Sequence, residues 1–194
     1  LEAQVVRIVD PDHVWFDPTG RTMHMLLRAH TGGTGYACLL KVVEQGAEPG
    51  TGRMITQFET VPSGSRMLFC PLPGGQMKFS VVYDEPSRLY WLLSTQATDS
   101  MSRPETLPAD RVILPNNQRR RLVLHFSKNL VDWCFAGLVD QGTTEREARH
   151  YASLAVDGHD LVLVSRSGSP EARNAHDTDW ITFHRIPRFR DLIY

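Results

Sequence analysis

Several residue types that can carry chemistry lie together near the end of the chain, in the segment RNAHDTD at positions 173–179. Its members His176, Asp177 and Asp179 are side chains that proteins use as general acids and as metal ligands. Aspartate and asparagine also cap turns, because their side chains accept hydrogen bonds from nearby backbone N–H groups. The sequence leaves three interpretations open here: a catalytic carboxylate at Asp177, a set of metal ligands, or turn capping.

Arg119 and Tyr151 stand at the start of two strand-like runs. Arg119 opens a triple arginine ahead of LVLHF, and Tyr151 opens YASLAVD, which ends in a D-G turn. A guanidinium group binds a carboxylate bidentately and keeps its charge, so Arg119 is a candidate anion-binding residue. The alternatives are a solvated arginine and a core tyrosine whose hydroxyl is bonded to the backbone.

These residues belong to units that recur along the chain. Three segments share a strand-like run that reaches an aspartate, then a turn, then a second strand-like run; they span residues 13–43, 77–96 and 150–168. The turns read DPTG, DEPS and DG, which is the chemistry that closes β-hairpins. The aspartates are Asp17, Asp84 and Asp157, and the second runs end at Arg28, Ser94 and Arg166.

The recurring hairpins predict an all-β fold. We expect one domain over residues 1–194, a β-propeller of about three blades at residues 10–45, 54–103 and 119–190. Three blades form about half of a propeller and leave blade faces uncovered. The chain is then either part of a longer protein or a half that self-associates to complete the ring. A self-contained β-sandwich is the structural alternative.

Matched positions in the repeats predict one central funnel. Arg28 and Arg166 end equivalent strands, so both either contact a ligand or lie on the rim. Gln76 and Lys78 head the second repeat and would point into the same funnel as Tyr151. The candidate substrate-binding residues are therefore Arg119, Arg28, Arg166, His176, Gln76 and Lys78.

Composition excludes several classes of protein. The 194 residues are 41% hydrophobic and 22% charged with a net charge of -1, which is typical of a globular chain and not of a disordered or strongly nucleic-acid-binding one. The three cysteines form no C-x-x-C pair, and no apolar run approaches the length of a membrane span. We expect no cofactor, no metal, no nucleic-acid partner and no membrane span. The compartment stays open, with secretion or the periplasm as the expectation.

The residues from 115 to 157 carry one further pattern. They read RRRLVLHFS at 119–127, SKNLVDW at 127–133 and HYASLAVD from 150. This order resembles the late part of the sialidase (neuraminidase, BNR-repeat) β-propellers, in which an arginine strand leads through a serine-headed Asp-box turn to a tryptophan, followed by a tyrosine-headed strand. SKNLVDW also resembles the S-x-D-L-x-x-W turns of five-bladed glycosidases.

The resemblance implies roles for two residues. Arg119 would hold the carboxylate of the substrate, and Tyr151 would be the nucleophile, because a neutral phenol does not repel an anionic sugar. A phenol near its ordinary pKa is a weak nucleophile, so a glutamate must act as its base. The chain departs from the family at Asn129, which replaces the Asp-box aspartate, and at residues 94–96, which lack a second binding arginine.

The resemblance therefore implies a glycoside hydrolase similar to exo-sialidases, acting on an anionic or polar glycan by retaining hydrolysis. Tyr151 and Asp177 are its candidate catalytic residues. The departures favour an alternative of another class, a carbohydrate-binding or scaffolding propeller without catalysis. Both alternatives have a glycan or glycoconjugate as partner.

Overall fold

The computed structural model describes residues 2–31, 34–48, 50–109 and 118–194. Within them lie thirteen β-strands and two 3₁₀ helices, Pro104–Thr106 and Phe189–Leu192. The strands are β1 (Ala3–Val6), β2 (Thr22–Arg28), β3 (Tyr36–Gln45), β4 (Arg53–Thr60), β5 (Arg66–Met67), β6 (Phe69–Pro71), β7 (Ser80–Asp84), β8 (Leu89–Gln96), β9 (Arg121–Ser127), β10 (Cys134–Gln141), β11 (Arg149–Asp157), β12 (Asp160–Ser167) and β13 (Trp180–Ile186). The all-β prediction is confirmed. No helix in these ranges is long and apolar enough to cross a membrane.

The strands form three antiparallel sheets. The first has the order β1-β2-β3-β4-β5, with β6 also pairing with β3. The second has the order β10-β9-β8-β7, and the third the order β11-β12-β13. The register of the first sheet sets Ala3 opposite Leu27, which brings the residue before β1 beside the end of β2.

The second sheet is the middle layer of a three-layer stack, because alternate residues of β8 point to opposite faces. One face packs against the first sheet in a cluster that includes Tyr90, Leu92, Leu26, Leu39 and Leu130. The other face packs against the third sheet in a cluster that includes Trp91, Leu93, Leu124, Leu161 and Leu163. Both clusters are buried, so the middle sheet holds the other two in place.

The second and third repeats fold as their sequences predict. The turn after Asp84 joins β7 to β8, and Ser87 donates to the Asp84 carboxylate through its backbone N–H and its hydroxyl. The D-G turn joins β11 to β12, with Gly158 at a φ of 62°, a left-handed conformation that glycine adopts without strain. Both aspartates therefore stand at hairpin turns.

The first repeat differs from the prediction. The residues directly before Asp17 form turns and not a strand, because Pro11 lacks a backbone N–H and Asp10 accepts the N–H of Asp12 at 3.1 Å. Trp15 is buried and stacks on His24 at 5.6 Å instead of extending a sheet. Of the two runs on either side of the DPTG turn, only the second forms a strand, β2.

The strands also group differently from the predicted blades 54–103 and 119–190. Strand β4 pairs with β3 of the first sheet, while in the second sheet β9 pairs with β8 and β10 pairs with β9. Residues 122–127 of β9 are all buried, which fits a central strand covered on both faces and not the start of a third sheet. The single domain and its arrangement as a propeller stay predictions.

The Ser127–Trp133 segment folds into a turn held by two side chains. The Ser127 hydroxyl accepts the N–H groups of Asn129 and Leu130, at 3.1 and 2.8 Å. The side-chain oxygen of Asn129, Oδ1, accepts the N–H groups of Val131 and Asp132, at 3.0 and 2.8 Å. Asparagine thus supplies the acceptor that an aspartate would supply here. Residues 115–117, the start of the stretch that resembles sialidases, lie outside the described residues.

Candidate functional site

Tyr151 lies in β11 at an irregularity of the β11–β12 ladder. The pairing register shifts between His150 and Ser153, and Tyr151 has a φ of 48°. A left-handed conformation at a residue other than glycine costs about 1–3 kcal/mol and is concentrated at functional sites. A bulge of this kind also changes the direction of a side chain. The half-buried Tyr151 ring is therefore placed by a strained backbone.

Three arginines surround Tyr151, and we call Arg28, Arg119 and Arg166 the arginine cluster. The guanidinium carbons of Arg119 and Arg166 lie 5.7 and 5.5 Å from the centre of the Tyr151 ring. Both distances are within the range of cation–π attraction. The Nη1 group of Arg28 donates to the Tyr151 hydroxyl at 3.3 Å.

Each arginine of the cluster lies in, or directly beside, a strand of a different sheet. Arg28 ends β2, and its Nε donates to the carbonyl oxygen of Gln76 at 2.8 Å. Arg119 precedes β9 and is 6% exposed, and its carbonyl oxygen accepts the N–H of Arg149 at 2.6 Å. Arg166 lies in β12 and donates to Thr178 Oγ1 at 3.0 Å. The site therefore joins all three sheets.

The charge of the cluster is only partly balanced by the described residues. Their one carboxylate contact with the cluster is between Glu2 and Arg28 Nη1, at 3.5 Å. Arg28 Nη1 therefore faces both the Glu2 carboxylate and the Tyr151 hydroxyl. Three like charges around one ring repel each other, so an added anion would be stabilised among them.

His150 is buried beneath the cluster. The Nη1 group of Arg119 donates to His150 Nδ1 at 2.8 Å, so the proton of the neutral imidazole is on Nε2. Burial lowers the pKa of His150 to about 3, assisted by the positive charges of Arg119 and Arg166. His150 stays neutral at physiological pH and adds no charge of its own.

The loop before β13 brings His176 and Asp177 to the site. The His176 ring lies 6.4 Å from the Tyr151 ring with an interplanar angle of 87°. Its Nδ1 is 2.8 Å from Asp177 Oδ1, and this hydrogen bond lowers the pKa of the Asp177 carboxyl. Arg166 donates to the carbonyl oxygen of His176. One arginine of the cluster therefore holds the loop.

The Lys78 ammonium and the Gln76 Nε2 group are hydrogen-bonded within the protein, whereas the buried Gln76 Oε1 has no partner among the described residues. The Lys78 ammonium donates to the carbonyl oxygen of Ala152 at 3.3 Å, on the strand that carries Tyr151. The Gln76 side chain is fully buried, and its Nε2 donates to the Thr95 carbonyl oxygen at 3.1 Å. Gln76 meets the cluster through its backbone carbonyl group. Substrate contact by these two side chains stays a prediction.

The structure adds two residues that sequence reasoning missed, Glu2 and His150. Glu2 directly precedes β1, and the antiparallel pairing of β1 with β2 sets it beside Arg28. The sequence signal for Glu2 is its position directly before the strand β1. His150 has no sequence signal beyond its position before Tyr151. Asp179, in contrast, accepts two hydrogen bonds from Ser169, as turn capping predicts.

The chemistry available at this site is anion recognition beside a phenol. Guanidinium groups and a neutral imidazole form a cationic environment, and the Tyr151 ring supplies an aromatic surface. The described residues contain no group of three or more histidine, cysteine, aspartate or glutamate side chains arranged to hold a metal ion.

No family model matches the chain, and no curated protein matches it. Among solved structures, the chain is similar to an N-acetylgalactosamine deacetylase from F. plautii in complex with blood group B trisaccharide. The sequence identity is 12% and the TM-score is 0.40. The overlap covers 84% of this chain and 45% of that one, so the chain spans less than half of the length of the matched structure.

Proposed function

We propose that this chain binds a carboxylated glycan at the arginine cluster. The observation that carries the proposal is the convergence of three guanidinium groups on Tyr151, against a single carboxylate contact from the described residues. A carboxylate entering the site relieves the repulsion between these charges and accepts hydrogen bonds from their N–H groups.

Two further observations support a glycan over a simple anion. The half-buried Tyr151 ring offers an aromatic face next to the cations, which suits a molecule with both a charged and a less polar part. The stretch that resembles sialidases also contains Arg119 and Tyr151, and these two residues contact each other. The resemblance implies an acidic sugar as the ligand of such a pair.

The test is calorimetric titration of the protein with sialyllactose, its methyl ester and lactose. We expect the acid to bind and the two neutral ligands to bind with affinities at least about tenfold lower. A hydrogen bond to a charged group is worth about 1.5–3 kcal/mol, and the neutral ligands lack it. Arg28→Gln should weaken binding of the acid similarly.

Arg188→Gln is the matched control, because the Arg188 side chain is 80% exposed and pairs with Asp191 outside the site. It should bind the acid as the unchanged protein does. Equal affinity for sialyllactose and lactose, or no affinity for either, would contradict the proposal.

A second candidate function is retaining hydrolysis with Tyr151 as the nucleophile. It is favoured by the strained backbone at Tyr151 and by the N–H of Arg28, which would stabilise negative charge on the phenolic oxygen. Glu2, on the same Arg28 nitrogen, is the glutamate that could take the phenolic proton. Turnover of an aryl sialoside that is lost in Tyr151→Phe would support this function.

We also propose that the three stacked sheets are neighbouring blades of a propeller. The middle sheet buries both faces against its neighbours, whereas the third sheet exposes Val164, Ile181 and Phe183 by 44, 74 and 62%. A further sheet would cover that apolar face. If a second copy of the chain supplies this sheet, sedimentation velocity should show a dimer, and Phe183→Lys should dissociate it. A wild-type protein that stays monomeric at high concentration would exclude a second copy as the source of the covering sheet.

A further inference from the structure

Both oxygens of the Asp177 carboxylate accept hydrogen bonds from neighbouring side chains. Its Oδ1 accepts from His176 Nδ1, and its Oδ2 accepts from Asn174 Nδ2 at 2.9 Å. Asn174 in turn accepts the backbone N–H groups of His176 and Asp177, both at 2.8 Å. The loop is therefore built to hold this carboxylate against the imidazole. The same contact with His176 lowers the pKa of the Asp177 carboxyl, so the group is held ionised and lacks the proton that a general acid donates.

His176, in contrast, has one ring nitrogen that is not engaged by the described residues. Its Nδ1 is bonded to Asp177, and its side chain is 56% exposed. Within the described residues its Nε2 has no hydrogen-bond partner. The ring stands edge-on to Tyr151, and its backbone carbonyl oxygen is held by Arg166. A carboxylate on one imidazole nitrogen fixes the orientation of the ring and stabilises its protonated form.

We propose that His176 is the general acid and base of the Tyr151 site and that Asp177 is its positioning residue. The proposal rests on the hydrolytic candidate function. It reverses the roles that the sequence predicts, in which Asp177 is catalytic and His176 binds the substrate. The substrate class is a glycoside of a carboxylated sugar.

The proton transfers balance over two steps. In the first, the Tyr151 oxygen bonds to the anomeric carbon and gives its proton to Glu2, while the glycosidic bond breaks and the leaving oxygen takes the proton of His176 Nε2. In the second, a water oxygen bonds to the anomeric carbon and gives one proton to His176 Nε2. The bond between the anomeric carbon and Tyr151 breaks as the water oxygen bonds, and the phenolic oxygen recovers its proton from Glu2.

The test compares one substrate that needs an acid with one that does not. Sialyllactose has a poor leaving group, whereas the nitrophenolate of p-nitrophenyl sialoside departs without a proton. His176→Gln should lower kcat/KM for sialyllactose by about 10²-fold or more, within the range for loss of a general acid. The aryl substrate should lose much less. Equal losses for both substrates indicate a structural role and overturn the proposal.

Two variants on the same loop complete the design. Asp177→Asn should reproduce the unequal loss of His176→Gln to a smaller extent, because it misorients the imidazole without removing it. A larger loss in Asp177→Asn than in His176→Gln would restore Asp177 as the acid and overturn the proposal. Glu171→Gln, at an exposed position of the loop, should leave kcat/KM for both substrates unchanged.

Failure of the hydrolytic function is distinguishable from failure of this proposal. Wild-type protein that binds sialyllactose but cleaves neither substrate has no hydrolytic function, which overturns the role of His176 and leaves acidic-glycan binding intact. Wild-type turnover that His176→Gln leaves unchanged overturns the role of His176 alone.

Discussion

Arg119 donates a hydrogen bond to a buried imidazole, that of His150, over 2.8 Å between Nη1 and Nδ1. A cation that donates to histidine requires the histidine to be neutral. His150 is therefore a fixed acceptor that orients Arg119 towards the Tyr151 ring. The same contact couples the arginine cluster to pH, because a proton on Nδ1 would break it.

Acid should destabilise the fold through His150. The folded pKa is about 3 and the unfolded pKa about 6.5, so the unfolded state binds the extra proton between these values. The contribution is complete above pH 6.5 and falls as the pH drops towards 3, by up to about 1.4 kcal/mol per pH unit for one proton. Urea unfolding at pH 7.5, 6.0 and 5.0 measures this fall.

The matched variant for this prediction is His150→Gln, which keeps an acceptor for Arg119 but cannot titrate. Its unfolding free energy should fall less steeply as the pH is lowered. The slope should correspond to the uptake of about one proton fewer on unfolding than in the unchanged protein. The buried His24 and His125 also have lowered pKa values, chiefly because of burial, and leave a residual fall of the same sign. Identical slopes for the two proteins would contradict the prediction.

The backbone at Tyr151 predicts an unusual order of stabilities. Tyr151→Ala keeps the strained left-handed conformation and loses the ring, whereas Tyr151→Gly loses the ring and relieves the strain. Glycine should therefore be more stable than alanine here by about 1 kcal/mol. Chemical denaturation of both variants measures the difference. At neighbouring Ala152, buried in the strand with no positive φ, replacement by glycine should be destabilising.

The fold was predictable where local patterns decide it and not where packing does. The DEPS and D-G turns indicated their hairpins because turn residues act locally. The pairing of β9 with β8 was missed, since it joins residues across a long connection and depends on burial of both faces of β9. For the site, the matched positions of Arg28 and Arg166 in the repeats predicted that both lie near Tyr151. The repeat pattern could not reveal the hydrogen bonds that the Gln76 Nε2 group and the Asp177 carboxylate make within the protein.

Neither alanine nor aspartate should replace Asn129 without loss of stability. Both polar side chains offer an oxygen to the N–H groups of Val131 and Asp132, and alanine leaves these groups without that acceptor. Asn129→Ala should lower the unfolding free energy by about 1–2 kcal/mol, as loss of a comparable capping side chain does. Asn129→Asp keeps the oxygen acceptor but loses the Nδ2 group, which donates to Asp132 Oδ2 at 2.7 Å, and it sets two carboxylates against each other. It should therefore lower the unfolding free energy by about 1 kcal/mol. An Asn129→Asp protein as stable as the unchanged one would contradict this role of the amide group.

Phe189 in the C-terminal 3₁₀ helix should be the residue that fastens the end of the chain to the middle sheet. Its side chain is fully buried and meets Trp91 edge-on at 4.9 Å, in the cluster between the second and third sheets. Phe189→Ala should cost about 3–5 kcal/mol because it leaves a cavity there. Tyr194→Ala is the matched control, since Tyr194 is 83% exposed and its removal should cost about 0.5 kcal/mol or less. Equal effects of the two changes on urea unfolding would mean that the C-terminal segment is not packed as described.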